Sequence, residues 1–458
     1  MEPDGEQRQL VGGAVLDFLD RFEESRGAAP ATSPPADAAL IEQLLAPPSD
    51  EGVAIEPLLR LLDQAVDTGF DTSSPGFLSY IPTGGLYTSS LGSFLGAGTN
   101  QYTGGSHASP GAVAIEQSVI DWMISLFGLP EGSAGVLFSG GSIANLTAVV
   151  AARSRLGEDF DDGVLYTSVR SHHSIEKAAR IAGIRSDRVR LVPTDAQLRL
   201  DVGYLSEAIR ADVDDGLRPM MVVGTAGTTD TGTIDPLPEI SEIAGSAEAW
   251  FHVDAAYGGF FQLTERGRDR LEGILRADSI TVDAHKSLFL PFGVGGLLVR
   301  DTKSLIDAHE GRGSYMQDVE GQELPHYFAL GPELTRPNRG LAVWLPLHLH
   351  GIARFRDELD RMLDLAEWAA DEIGKMPEVE LLCDPDLSVV AFSSIEGDEA
   401  SKRIVDHLNS SRDVYVSSTT IDDRLIVRLA FLSHRTTEAI AARAVALVRE
   451  SLASEEGF

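Results

Sequence analysis

A lysine stands at position 286 in SITVDAHKSLFLPFGVGG (279–296), directly after an apolar run with the character of a buried strand. A lysine amine attacks an aldehyde only where its surroundings disfavour the ammonium form, and a strand end opening into a cleft supplies that burial. Upstream, WFHVDAAYGG (250–259) sets Asp254 at the end of another such run. A carboxylate there can keep a heteroaromatic ring nitrogen protonated by charge pairing. GVLFSGGSIANL (135–146) passes from strand to helix through Ser139, Gly140, Gly141 and Ser142. Glycines let the backbone approach an anion, and a helix N-terminus offers unpaired N–H groups with a favourable dipole. YTSVRSHHSIEKA (166–178) brings two histidines, His172 and His173, to the end of a strand, where either ring can stack on a flat ligand. TAGTTDTGTIDP (225–236) offers the hydroxyls of Thr225, Thr228 and Thr229. An amine nucleophile, a ring-nitrogen carboxylate, an anion cradle and a stacking ring are what pyridoxal 5′-phosphate requires; its protonated ring is the electron sink of carbanion chemistry.

The elements that must position these groups are legible as short apolar runs. GVLF (135–138), VLYT (164–167), VRLV (189–192), MMVV (220–223), WFHV (250–253), SITV (279–282) and VGGLLV (294–299) predict seven strands, most separated by helical stretches. That pattern predicts an α/β fold with a mostly parallel sheet covered on both faces, and in such sheets ligands bind beyond the carboxyl ends of strands. The candidate residues fall there. Three regions are expected: an N-terminal helical segment with a Pro-rich linker (27–38) over 1–75, a large cofactor domain over 76–340, and a smaller α+β domain over 341–458. PGFLSYIPTGGLYTSS (75–90) reads as a substrate-lining loop, and the polar, glycine-containing 309–338 as an active-site lid.

Composition narrows the function classes. The net charge of −33, from 70 acids against 37 bases, repels nucleic-acid phosphates and anionic lipid, so neither is expected as a partner. No run approaches the roughly 20 apolar residues of a membrane helix, and no signal-peptide pattern opens the chain. The one cysteine, Cys383, forms no disulfide framework and no metal cluster; a cytoplasmic protein without metal is expected. The Ser-Gly-Gly-Ser turn is not a dinucleotide fingerprint, and no acid stands at the spacing a ribose needs.

The segments SGGSIANLTA, SHHSIEKA, GTAGTTDTGTID, HVDAAYGG and DAHK, in this order and spacing, resemble the group II PLP-dependent amino-acid decarboxylases, over about residues 53 to 448. The resemblance implies a fold-type I PLP enzyme acting as a homodimer with active sites at the subunit interface. It implies Lys286 as the lysine that carries the cofactor, Asp254 as the ring-nitrogen partner and Ala256 packed under the ring. Gly141 and Ser142 match the phosphate-binding pair, His285 is a further phosphate contact, and Thr225 is a cofactor contact. The pattern H-x-S-[IV]-x-[KR]-A assigns the stacking role to His172. Asp283 replaces an asparagine carried by some members. SYIPT (79–83) is similar to the family's aromatic-aromatic-Pro-Thr loop and places Tyr80, Ile81 and Thr83 near the substrate. IVRLAFLS (426–433) resembles the segment whose arginine, here Arg428, meets a carboxylate. Matched without gaps from GLAVW (340–344), the lid brings Tyr327 to the family's loop tyrosine, the expected proton donor, with Tyr315 as the alternative.

The expected activity is decarboxylation of an L-amino acid to the amine and CO2, aromatic substrates first. The alternatives are an acidic or diamino substrate (glutamate, aspartate, diaminobutyrate), or an aldehyde synthase or C–C lyase on the same scaffold. A non-catalytic binding module is opposed by the intact Lys286 and Asp254. Cysteine desulfuration is opposed by the position of Cys383 between Leu382 and Asp384, in the expected small domain.

Overall fold

The computed structural model describes residues 2–309, 311 and 324–453. The chain divides into two compact units, 83–370 with 382–391, and 1–82 with 371–381 and 392–458. The boundaries differ from those expected. The N-terminal segment groups with the C-terminal part of the chain, and 341–370 stays with the larger unit. The cause of the second shift is close backbone packing by the helix Gly340–His350. A Cβ at Gly92 would lie 2.4 Å from the Leu341 carbonyl oxygen, and one at Gly340 would lie 2.8 Å from Glu116 Cα. Cys383 likewise falls in the larger unit.

The larger unit is built on a seven-stranded sheet. Its strands are β1 (Ala134–Phe138), β2 (Gly163–Ser168), β3 (Val189–Val192), β4 (Arg218–Thr225), β5 (Trp250–Ala255), β6 (Ser279–Val282) and β7 (Gly295–Val299). Their order is β1-β7-β6-β5-β4-β2-β3. All seven expected runs form strands. β1, β2, β5, β6 and β7 are buried along their whole length, which is why they read as continuous apolar runs rather than alternating ones. β2–β3, β2–β4, β4–β5 and β5–β6 pair in parallel, whereas β7 runs antiparallel to both β1 and β6. The carboxyl ends of β1, β2, β4, β5 and β6 therefore share one rim with the amino end of β7.

Behind β1 lies an ion pair with almost no solvent. Arg336 Nη2 donates to Glu116 Oε1 at 2.6 Å and to the Leu137 carbonyl at 2.7 Å, with the Arg336 and Glu116 side chains 1% and 0% exposed. Arg339 also donates to the Leu137 carbonyl, at 3.2 Å. The end of β1 is thus tied down just before the glycine turn.

The smaller unit carries β8 (Val379–Leu381), the second half of β9 (Val389–Ser394), β10 (Ser417–Ile421) and β11 (Arg424–Ala430), in the order β10-β11-β9-β8. β10 and β11 form a hairpin through Asp422 and Asp423, at φ 49° and 61°, the positive-φ pair of a two-residue turn matched to strand twist. Among the described residues no helix is long and apolar enough to cross a membrane, and no cluster of His, Cys, Asp or Glu could hold a metal ion.

Candidate active site

At the shared rim of the larger unit a cavity of about 370 Å³ is lined by Gly140, Gly141, Ser142, His172, Thr225, Asp254, Ala256, His285 and Lys286 among others. They arrive from five different strand ends. Gly141 opens the helix Gly141–Ser154 after β1, His172 follows β2, Thr225 ends β4, Asp254 lies in β5, and Lys286 follows β6. The helical stretch Ala284–Ser287 holding Lys286 stops at Leu288. Phe289 beyond it takes φ 61°, a left-handed conformation that a non-glycine residue adopts only when its surroundings enforce it. Here the Phe289 carbonyl accepts from Leu86 N–H at 2.8 Å and its own N–H donates to the Lys286 carbonyl at 3.0 Å.

Lys286 Nζ lies 3.1 Å from Asp283 Oδ2, so this buried carboxylate is the group that holds the lysine's charge. Asp283 Oδ1 is buried without a hydrogen-bond partner. His285 Nδ1 bonds to the Val294 carbonyl at 2.9 Å, and burial holds the ring below the usual histidine range. Its Nε2 would meet a phosphate as a donor only with the ring doubly protonated, a state that the anion itself favours.

Asp254 is 5% exposed, yet both its oxygens have donors. Asn145 Nδ2 reaches Oδ2 at 2.8 Å and Ala256 N–H reaches Oδ1 at 3.1 Å. His172 is half-buried, with Nδ1 2.8 Å from Ser174 Oγ. Burial lowers its pKa, and Lys286 and His173 act in the same direction, against Asp254 and Asp283. Thr225 is positioned from behind: its N–H donates to Asp235 Oδ2 at 2.8 Å, and Asp235 also accepts from Leu200 N–H at 2.8 Å. Burial pushes that carboxyl up to about 6.

The residues fit pyridoxal phosphate. A Cβ at Gly141 would stand 3.0 Å from Asp283 Oδ2 and 3.1 Å from Ala256 Cβ, and one at Gly295 would stand 2.2 Å from Asp283 Oδ1. Only glycines keep this cradle open at the helix N-terminus, whose first N–H groups have no intrahelical partner. An anion seat, a seated carboxylate, an imidazole and an amine then face one cavity.

Several expected residues lie elsewhere. Tyr327 does not line the cavity. It is 1% exposed in a short 3-10 turn, its hydroxyl donates to Gln117 Oε1 at 3.0 Å, and Arg336 stacks over its ring at 4.7 Å. Apolar packing of its ring in the core fixes it there, and burial raises its pKa, which makes it a poor acid within this unit. Tyr315 and residues 310 and 312–323 of the expected lid lie outside the described residues. Thr83 is buried and does not line the cavity, and neither does Thr228. Tyr80 and Arg428 belong to the smaller unit. There Arg428 donates to Ser417 Oγ at 2.6 Å and to the Tyr80 carbonyl at 3.0 Å, and Tyr80 is held at φ 54°. Conversely, Asn145, Ser174 and Asp235 were not foreseen. Asn145 stands four residues after Gly141, hence on the same helix face, and that spacing was the available signal.

Comparison with known proteins agrees with this geometry. Residues 45–395 match the model of the pyridoxal-dependent decarboxylase conserved domain. The chain is 34% identical over 376 residues to an aromatic-L-amino-acid decarboxylase of Bacillus atrophaeus, covering 79% of this chain and 78% of the relative. It is 30% identical to an L-2,4-diaminobutyrate decarboxylase of Rhizobium meliloti (strain 1021), covering 98% and 93%. The crystal structure of Oryza sativa TDC with PLP and tryptamine superposes with a TM-score of 0.94 at 25% identity, over 99% of each chain. With more than half its length matched by the family model and the cofactor's seat in place, the chain belongs to the pyridoxal-dependent decarboxylases.

Proposed function

We propose that this enzyme decarboxylates an L-amino acid, with aromatic side chains preferred, and that Lys286, Asp254, His172 and the Gly141–Ser142 cradle carry the reaction. The observation behind this reading is that Lys286 and Asp254 face one cavity opened by the cradle glycines. Bound there, pyridoxal phosphate supplies an aldehyde for the substrate amine and a protonated ring that takes up the electron pair left as CO2 departs. Gly141 and Ser142 would seat the phosphate, Asp254 would hold the proton on the ring nitrogen, and His172 would pack against the ring. Lys286 would hold the cofactor through its amine. With the Tyr327 hydroxyl bonded to Gln117, the cavity's own proton carriers for return to Cα are His172 and Lys286. The aromatic preference is supported by the 34% identical relative, an aromatic-L-amino-acid decarboxylase.

A cytoplasmic homodimer completes the proposal. The helices Tyr87–Thr99 and Gly340–His350 leave Phe94, Leu95 and Leu349 exposed, as an apolar face awaiting cover would. An active monomer in sedimentation at micromolar concentration would overturn it. The reaction is tested by supplying the PLP-loaded protein with individual amino acids and measuring CO2, amine and aldehyde. CO2 with amine supports the reading, whereas aldehyde, ammonia and peroxide would make the enzyme an aldehyde synthase. Lys286→Ala should abolish turnover and the borohydride-reducible adduct while PLP still binds noncovalently. A persisting adduct would overturn the role of Lys286.

A further inference from the structure

Asp254 and His172 are joined by a chain of buried hydrogen bonds whose direction is set from its ends. At one end Trp250 Nε1–H, which can only donate, reaches Ser279 Oγ at 2.7 Å. At the other the Asp254 carboxylate, which can only accept, takes a bond from Asn145 Nδ2 at 2.8 Å. Between them Ser279 Oγ meets His252 Nδ1 at 2.7 Å, and His252 Nε2 meets Asn145 Oδ1 at 3.1 Å. Turning the Asn145 amide over would set its oxygen against the carboxylate, two acceptors with no proton between them. Asn145 Oδ1 therefore faces His252, whose proton must lie on Nε2, and Ser279 donates to the bare Nδ1. Burial depresses the His252 pKa to about 4, consistent with this single neutral form.

The second amide hydrogen of Asn145 is donated to Ser174 Oγ at 3.0 Å. Ser174 Oγ in turn lies 2.8 Å from His172 Nδ1, and the Ser174 N–H points at the same nitrogen at 3.3 Å. Two donors converge on Nδ1, so it carries no proton, and the proton of the neutral ring lies on Nε2. Asn145, Ser174, His252 and Ser279 are each no more than 2% exposed, so no water competes for these bonds.

We propose that Asn145 is a positioning residue for the decarboxylation: it seats Asp254 and, through Ser174, fixes His172 as its Nε2–H tautomer, so that His172 acts in the cavity as a donor at Nε2. This rests on the assignment of Asp254 and His172 to the reacting site. Asn145 and Ser174 both line the cavity, and in this role Asn145 acts through the two residues it orients. Protonation of His172 at Nδ1 requires Ser174 to turn away, which opposes the imidazolium. Asp254 and Asp283 favour that cation, whereas Lys286 and His173 oppose it.

The test uses the full-length chain labelled with 15N at its histidines, with and without PLP, the His172 signal being assigned by its loss in His172→Gln. The parent should show a bare Nδ1 and a protonated Nε2 across neutral pH. Asn145→Ala and Ser174→Ala should each produce a mixture of tautomers and raise the His172 titration midpoint by about one unit. In the PLP-loaded enzyme Asn145→Ala should lower kcat by about tenfold or more with KM within about twofold. A proton on Nδ1 in the parent would overturn the proposal, as would an unchanged tautomer and midpoint in the variants. If Asn145→Ala fails to fold, Ser174→Ala decides alone, because it leaves the Asn145–Asp254 bond in place. The tautomer is read without turnover, so a failure to release CO2 would overturn the proposed reaction and leave this inference standing.

Discussion

Glu116→Gln should destabilise the larger unit by about 3–5 kcal/mol and loosen the cofactor's seat with it. At an effective dielectric constant near 20, unit charges about 4 Å apart attract by about 4 kcal/mol, against several kcal/mol for taking each ion out of water. The Glu116–Arg336 pair is thus close to break-even, and neutralising one side strands the other. The stranded group is poorly provided for, since Arg336 Nε and Nη1 already have no acceptor. Burial pushes the Glu116 carboxyl upward while Arg336, with Nη2 at 2.6 Å, draws it back. Arg336 also holds the Leu137 carbonyl at the end of β1, so its displacement reaches the glycine turn, and PLP affinity should fall by about tenfold. The double variant Glu116→Leu/Arg336→Met should lie within about 1 kcal/mol of the parent, because it removes both charges at similar volume and Arg339 keeps the Leu137 carbonyl. Urea unfolding followed by tryptophan fluorescence, with PLP titration beside it, measures both effects. A single-variant cost under about 1 kcal/mol would mean that Glu116 is carried protonated, and a double variant as unstable as the single would mean that packing, not charge, sets the loss.

Three further outcomes follow from the site. Gly295→Ala drives a Cβ to 2.2 Å from Asp283 Oδ1 and 2.6 Å from Gly140 Cα. Overpacking of about 1–3 kcal/mol should appear as roughly 10- to 100-fold weaker PLP binding, and unchanged affinity would show that the cradle yields. Tyr327→Phe removes a single bond to Gln117 and should cost about 0.5–1.5 kcal/mol in unfolding experiments with turnover within about twofold of the parent; a loss beyond about tenfold would restore the hydroxyl as proton donor. His252 is depressed to about 4 in the fold, so the stability it contributes is full above the unfolded value of 6.5 and is lost as pH falls from there to about 4. That loss amounts to about 3 kcal/mol, and His252→Gln should flatten this acid limb of the denaturation midpoint; an unaltered limb would place the titration on another group.

What could be foreseen and what could not divide along the range of the interactions. Strands buried on both faces announce themselves as apolar runs, which made β1, β2, β5, β6 and β7 legible, while β3 and β4, partly exposed, were legible from shorter apolar stretches, and motifs at the strand ends carried residues to the cavity. The pairing direction of β7 left no mark in its composition, because parallel and antiparallel strands are equally apolar when covered on both sides. Unit boundaries were misplaced where packing overrides sequence proximity, as at Gly92 against Leu341. The burial of Tyr327 was not foreseen because a gapless match carries register but not burial; the ring is held by core packing and Arg336. Asn145 escaped notice because an amide inside an apolar helix has meaning only once its neighbours from β5 and the helix Ser174–Ile181 are in place.

The antiparallel course of β7 also decides how far Lys286 can travel. The dozen residues between Val282 and Gly295 leave β6 and re-enter the sheet on the same rim, and Val282 pairs directly with Gly296. A parallel return would have needed a crossover to the opposite rim and back, freeing the lysine segment at one end. Instead the segment is a short tether closed at both ends. In the role proposed for Lys286, its amine would move on its own side-chain torsions alone while its Cα stays put. Its effective concentration at the cavity is then that of a group on a short linker, on the order of millimolar or above, whatever the concentration of the enzyme. Under the role proposed for Lys286, its return to a cofactor held in the cavity would be a unimolecular event, insensitive to dilution.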